Sequence, residues 1–526
     1  MRDFHLPGRS TVHAVNGMVA TSHPLAARTA IRILEDGGNA VDAAIAGAIL
    51  LGVCEPQMTG LGGDCFVLLK PAGEERILGL NGSGRAPAGL QADALREAGH
   101  EKMPLYGSPH SVTVPGAVDA FDRLSREWGR LGLAASLAPS IRYFEEGVPV
   151  APRVASDWAK AQENLHGRGR DYFLLDGAVP KAGQVFRAPG QADVLRRIAK
   201  DGRAAFYEGE IAEDMVDTLR ALGGTHTLED FANTACDWVE PITGPYRGAE
   251  IVELPPNGQG ATALLIAKIL ERFDIASMDP FGAERAHIEA EAAKLAYDAR
   301  DRFVADPDHT TRLDHMLSDE TAAKLAALID PDRAMPSARE ASENVHKETI
   351  YITVVDKDRM AVSLIYSIFH SFGSGLASEK FGIGFQNRGA GFTLEAGHAN
   401  EAAGGKRPMH TIIPAMLKKG GRVAMPFGVM GGAYQPNGHA RVLSNMLDFG
   451  MDPQEALDAP RSFGALGPLE LEHGYGDEAR AALAAKGHEI KEPETAIGGA
   501  QAIVIGEDGT LTGASDPRKD GCALGY

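Results

Sequence analysis

Cysteine is scarce. The 526 residues hold four, Cys54, Cys65, Cys236 and Cys522, with no CxxC pair and no neighbouring histidine to complete a metal site. That spacing argues against both a structural zinc and a disulfide framework, so no metal is expected. Basic residues are the minority: 52 Lys and Arg against 71 Asp and Glu leave a net charge of −19. No basic run is long enough to track a phosphate backbone, which excludes nucleic acid as an expected partner. Long apolar runs are missing too. The longest uncharged one, AAIAGAILLGVC from Ala43, is too short to span a bilayer and fits a buried core helix. The start, MRDFHLPGRSTVHAVNGMVATSHPLA, shows no basic stretch leading into an apolar one and no small-residue cleavage site. A cytoplasmic protein without membrane partners is the expectation.

Repeats and low-complexity linkers are also absent. The 62 glycines and 30 prolines are spread along the chain, which favours one interwoven unit over the two to four domains its length would allow. A phosphate-binding Gly-Lys-Ser/Thr does not occur. TGLGGDCFVLL from Thr59 and FGSGLASEKFGIGF from Phe372 are glycine-rich, but TGLGGD runs into an apolar strand where a dinucleotide fingerprint needs a helix. Both read as tight turns that bring backbone close to a site, and no cofactor is expected.

What is present is ordinary globular material, 44% hydrophobic and 23% charged. Helical periodicity runs through HPLAARTAIRILEDGGNAVDAAIAGAILLGV, with Asn39 placed to cap the second of two helices, and returns in RAHIEAEAAKLAYDARDRFV and GHARVLSNMLDFG. Strand-like runs are CFVLLK, GAEIVELP, TIYITVVD, MAVSLIYSI, RVAMPFGVM and AQAIVIGEDGTL. Their alternation in blocks predicts an α+β protein with stacked sheets and helices on the outer faces.

The hairpin-like stretch HKETIYITVVDKDRMAVSLIYS opens its first strand on a threonine, Thr349, straight after a charged triplet. Threonine favours strands, so by spacing alone it simply begins one. A chemical role needs more. A hydroxyl becomes a useful nucleophile when a base sits beside it, and a free α-amine, with a pKa of about 8, is such a base where an amide nitrogen is not. Thr349 would have to become a chain terminus.

The segment resembles the start of the small subunit of the gamma-glutamyltransferase family, whose members are N-terminal nucleophile (Ntn) hydrolases. HPLAARTAIRILEDGGNAVDAAIA, TGLGGDCFVLL, VPGAVDAF, ELPPNGQG and EAAKLAYDARDRFVADPD resemble the large subunit in the same order. FGSG, GKRP, GVMGG, DAPR and the terminal GASDPR to GY resemble the small one. The resemblance implies an αββα sandwich and a precursor that cuts itself between Glu348 and Thr349. The products would be a large subunit, 1–348, and a small subunit, 349–526, held together by one core, with self-association of that pair left open. It also implies Thr349 as nucleophile and Gly431 and Gly432 of GVMGG as oxyanion donors, while Thr353 on the same strand face is a candidate to orient the nucleophile.

Substrate residues depart from the glutathione-cleaving members. Gly391 in QNRGAGF stands where those members hold the acid that grips the substrate amine, and Arg388 stands in place of a glutamine. Ser367 and Phe369 replace Thr and Asn; His410 and Thr411 replace paired serines; Arg85 in NGSGRAP lies two positions beyond the family's carboxylate-binding arginine. Arg85, Ser367, Arg388, His410 and Thr411 are thus the candidates for holding a carboxylate, in a pattern that resembles the branch containing oxamate amidohydrolase. Both arginines read equally as structural ion-pair formers, and His410 as a turn residue. The segment from Phe392 to Lys406 is also shorter than in many glutathione-cleaving members, which implies a reduced lid. The expected activity is hydrolysis of an amide in a small carboxylate-bearing substrate. A true glutathione hydrolase or γ-glutamyl transferase, and a non-catalytic homologue that binds a small anion, are the alternatives.

Overall fold

The computed structural model describes residue 5, residues 8–336 and residues 349–526. Glu348, and with it the expected cleavage junction, lies outside the described residues. Two seven-stranded antiparallel sheets face each other. One runs, in spatial order, Val12–Ala14, Leu511–Ser515, Gly499–Ile505, Arg422–Met430, Ala415–Lys419, Ala249–Glu253, Ile242–Tyr246; the other Cys522–Gly525, Met18–Thr21, Ile350–Val355, Ala361–Ser367, Asp64–Lys70, Leu78–Gly82, Asp237–Val239. Each sheet draws strands from before and after Thr349, so neither part of the chain can complete a sheet alone.

Three apolar layers result. Between the sheets lie Phe66, Leu68, Val252, Tyr351, Ile365 and Met416. Outside the second sheet a cluster joins Ile350, Ile352 and Val354 to the helices Pro24–Glu35, Ala40–Cys54 and Leu133–Glu146. Outside the first, another joins Phe427 and Val429 to Gly260–Leu270, Ala283–Phe303 and Gln435–Leu447. This is the αββα arrangement that the resemblance implied.

Local chemistry explains the helix behind strand Ile350–Val355. Asn39 accepts from the N–H groups of Val41 and Asp42 while Asp42 reaches back to the Asn39 N–H, a capping box that starts helix Ala40–Cys54. All fifteen residues of that helix are buried, because Ala, Gly and Ile on every face let sheet and helices close round it. Among the described residues no helix is long and apolar enough to cross a membrane.

The hairpin forms as expected, with Ile350 opposite Tyr366 and Thr353 opposite Ser363. Its sequence alternation does not become a wet face and a dry face, however, because every residue of Ile350–Val355 and Ala361–Ser367 is buried. The first sheet covers one side and the helix layer the other.

Burial also sets an acid limit. His23 and His226 are pushed down to about 4 and His410 to about 3, in each case chiefly by burial. Below pH 6.5 the unfolded chain takes up these protons and the folded one does not, so their contribution is intact above that value and is lost as pH falls. Glu55, raised to about 7 by burial, works the other way and offsets one of the three. Unfolding free energy should therefore fall as pH drops from 6 to 5, measurable by denaturant titration across that range.

Candidate active site

The register that pairs Ile350 with Tyr366 sets the next position, Thr349, opposite Ser367. Thr349 is 1% exposed and its Oγ1 donates to Ser367 Oγ at 3.3 Å. Ser367 Oγ also accepts from the Phe369 N–H at 2.9 Å and from Arg388 Nη2 at 3.3 Å. The glycine turn from Thr59 fits here as a close approach: a side chain on Gly63 would strike the Ser367 carbonyl.

Arg388 opens the short helical turn Arg388–Gly391 and is wholly buried. Its Nη1 donates to Thr411 Oγ1 at 2.9 Å, its guanidinium carbon lies 4.0 Å from the centre of the Phe369 ring, and its Nε–H meets no acceptor. Burial pushes its pKa down to about 9, with the charge of Asp64 opposing, so it stays a cation at neutral pH.

Asp64 does not supply an ion pair to it. Oδ1 accepts from the N–H groups of Gly84 and Gly116 at 2.9 and 3.1 Å and from Gln386 Nε2 at 2.9 Å, while Oδ2 faces His410 Nε2 at 3.0 Å. Among the described residues Arg388 has no carboxylate partner. His410 receives the Ile412 N–H on Nδ1 at 3.3 Å, which leaves the proton on Nε2 for Asp64. Burial, then the nearby Arg388 charge, hold it neutral. Both ring nitrogens are committed inside the protein, so His410 serves as an anchor for Asp64 where direct substrate contact was expected.

Thr411 links this cluster to the turn at Gly431 and Gly432. Gln259 Nε2 donates to the carbonyls of Thr411 at 2.7 Å and Gly432 at 2.9 Å, and Arg300 Nη1 donates to Gln259 Oε1 at 2.8 Å, which fixes the amide's orientation. Gly431 (φ 119°) and Gly432 (φ 55°) follow strand Arg422–Met430 in the left-handed region that glycine alone enters freely. The Tyr351 ring, two residues after Thr349, lies against Gly428 of that strand, three residues before Gly431.

Two expected residues stand apart. Thr353 donates its hydroxyl to the Val362 carbonyl at 3.0 Å. Four strand residues span about 13 Å, so it shares a face with Thr349 without reaching it, and Ser367 holds the orienting contact instead. Arg85 leaves a side chain about half exposed, donates to the Gly405 carbonyl at 3.0 Å and meets Asp306 at 3.4 Å. Its two-position offset carries it outward, while Ser83, in the inner position, accepts from Asn257 Nδ2 at 3.0 Å.

Asp64, Gln259, Asn257 and Gln386 were not singled out from sequence. Each stands in or beside a motif already noted, TGLGGD, PPNGQG or QNRGAGF; a buried polar residue ending a glycine turn is the signal that was available. Among the described residues one group of ligating side chains lies elsewhere: His287 and Glu291 on helix Ala283–Phe303 and His488 just after helix Asp477–Ala485, with ligand atoms within 4.8 Å. Their lone pairs are in use. His287 Nδ1 and His488 Nε2 are 2.8 Å apart, and Glu291 accepts from Lys294 Nζ and the Met335 N–H, both at 2.7 Å. Lys294 also brings positive charge where a cation would sit.

The gamma-glutamyltranspeptidase family model matches residues 26–526. The glutathione hydrolase-like YwrD proenzyme of Bacillus subtilis (strain 168) is 37% identical over 520 residues, 97% of this chain and 98% of the relative. The oxamate amidohydrolase proenzyme of Klebsiella pneumoniae is 34% identical over 531 residues, 98% and 99% of the two chains. The crystal structure of a cephalosporin acylase from Bacillus halodurans superposes with a TM-score of 0.91 at 39% identity, covering 100% of this chain and 99% of that one. A match that runs from residue 26 to the final tyrosine, through both sheets and both strands of the Thr349 hairpin, makes this chain a member of the gamma-glutamyltranspeptidase family of Ntn-hydrolase enzymes.

Proposed function

We propose that the chain is an amidohydrolase that cuts itself before Thr349 and then hydrolyses an amide whose carboxylate lies next to the scissile carbonyl, as in oxamate. The observation that carries this reading is Arg388: a buried cation with no carboxylate partner among the described residues, bonded to the same Ser367 hydroxyl that holds Thr349.

The spacing supports a short substrate. Two contacts of 3.3 Å in series put Thr349 Oγ1 and Arg388 Nη2 at most 6.6 Å apart. An attacking oxygen stands about 3 Å from its carbonyl carbon, and a carboxylate oxygen about 2.8 Å from a guanidinium nitrogen. A carboxylate bonded directly to the carbonyl bridges what is left. A γ-glutamyl group adds a three-carbon spacer and an ammonium, and the acid nearest Arg388, Asp64, already has both oxygens occupied.

In self-cleavage the Thr349 hydroxyl adds to the Glu348 carbonyl, the C–N bond breaks as the acyl group moves to oxygen, and water hydrolyses the ester. A carboxylate on Glu348 and a free amine on Thr349 result. In turnover this amine takes the hydroxyl proton as Oγ1 attacks the substrate carbonyl, and the oxyanion faces the N–H groups at Gly431 and Gly432. The proton passes to the leaving nitrogen, ammonia departs, and water releases the acid from the acyl-enzyme. Sheets that take strands from both sides of the junction keep the two subunits associated.

Purified protein should run as two chains on a denaturing gel, the smaller starting at Thr349, and should release ammonia from oxamate while leaving γ-glutamyl-p-nitroanilide intact. Turnover of the anilide alone would overturn the substrate reading.

A further inference from the structure

We propose that Phe369 is a specificity-determining residue: its ring closes the acyl pocket over Arg388 and limits it to amides with at most one carbon between carboxylate and carbonyl. The inference rests on the function proposed above.

Phe369 follows the end of strand Ala361–Ser367 by two residues and is 3% exposed. Its backbone takes φ 81°, a conformation that bulky residues seldom adopt. Its own N–H secures it to Ser367 Oγ at 2.9 Å, and its ring centre lies 4.2 Å from that of His370. The strained turn is therefore pinned at both backbone and ring, and what it achieves is placement of the ring 4.0 Å from the guanidinium carbon. Strain retained at such a position points to use.

The consequences follow from the shape of a guanidinium. It is planar, with five N–H groups in its edge and none on its faces. Thr411 and Ser367 take one edge donor each, and Nε–H is without an acceptor. With one face under Phe369, a substrate carboxylate reaches Arg388 along the edge beside Ser367, which is the side nearest Thr349. A longer linker would have to loop through the volume the ring fills. An amino substituent would meet an apolar ring and a cation. The ring's electron-rich face also partly offsets the guanidinium's positive charge.

The test compares kcat/KM for oxamate and for glutaramate, which share a carboxylate and an ammonia leaving group and differ in the carbons between. The enzyme should favour oxamate by about 100-fold or more. Phe369→Asn, chosen because asparagine tolerates positive φ, should shrink that ratio at least tenfold as glutaramate turnover rises. Phe369→Gly, also suited to this backbone, should do the same. A ratio does not depend on how much of a preparation is correctly folded, so a merely structural role would leave it unmoved. An oxamate-preferring enzyme whose variants keep the ratio overturns the inference alone. A wild-type enzyme that prefers glutaramate overturns it together with the proposed function.

Discussion

Thr349→Ala should leave a single 526-residue chain after prolonged incubation and should release no ammonia from any amide, a fall in kcat on the order of 10⁴-fold or more, as loss of a covalent nucleophile produces elsewhere. One oxygen atom accounts for both losses. In the proposed mechanism the hydroxyl that attacks the peptide carbonyl is the hydroxyl that later attacks the substrate, and the amine that serves as base exists only once the first reaction is complete. Folding should survive. The Thr349 hydroxyl donates to Ser367 at 3.3 Å, whereas the strand that follows it is fixed by ladders to both Ala361–Ser367 and Met18–Thr21 and buried on both faces. Intact mass and thermal unfolding read the two properties separately: one uncut chain with a near-native Tm is the expected pair. Thr349→Ser keeps a hydroxyl and should still cut itself, more slowly. Cleavage in Thr349→Ala at the wild-type rate would move the nucleophile elsewhere in the chain.

The fold was readable where local pattern and tertiary burial agree. The Asn39 cap, the all-buried helix behind it, the hairpin and its return strand all follow from spacing and composition, because each is decided within about twenty residues. The site was readable where the hairpin register does the work: Thr349 meets Ser367 because two paired strands start and end together. It was not readable where partners come from distant strands. Asp64 and His410 are 346 positions apart, and no local period announces that a glycine turn and a loop late in the chain meet. Arg85 and Arg388 look alike in sequence, each an arginine among glycines. One ends half in solvent with Asp306 and the other fully buried, bonded to the Ser367 hydroxyl that meets Thr349 and lying against the Phe369 ring. Thr353 shows the limit of face-counting, since sharing a strand face is not proximity.

Replacing Arg388 should then cost more than any other substitution outside Thr349, Gly431 and Gly432. Arg388→Met keeps the length and the apolar stem and removes the only cation bonded to Ser367 and Thr411 among the described residues. Stripping one partner from a buried, hydrogen-bonded charge pair costs about 2 to 5 kcal/mol, so kcat/KM for oxamate should fall on the order of 10² to 10³-fold, mostly through KM. Arg388→Lys should recover less than a tenth of it, because an ammonium is a point donor and cannot serve both hydroxyls and a carboxylate in one plane. Self-cleavage separates this from misfolding. The scissile peptide is part of the chain and needs no carboxylate pocket, so both variants should still appear as two chains, with slower cutting because Ser367 has lost one of its donors. Arg85→Ala, made alongside, should change kcat/KM by no more than about threefold, the usual reach of an exposed ion pair. The opposite ranking, a large loss at Arg85 and a small one at Arg388, would put the substrate carboxylate at the surface loop with Asp306 and leave the buried guanidinium with a structural role only.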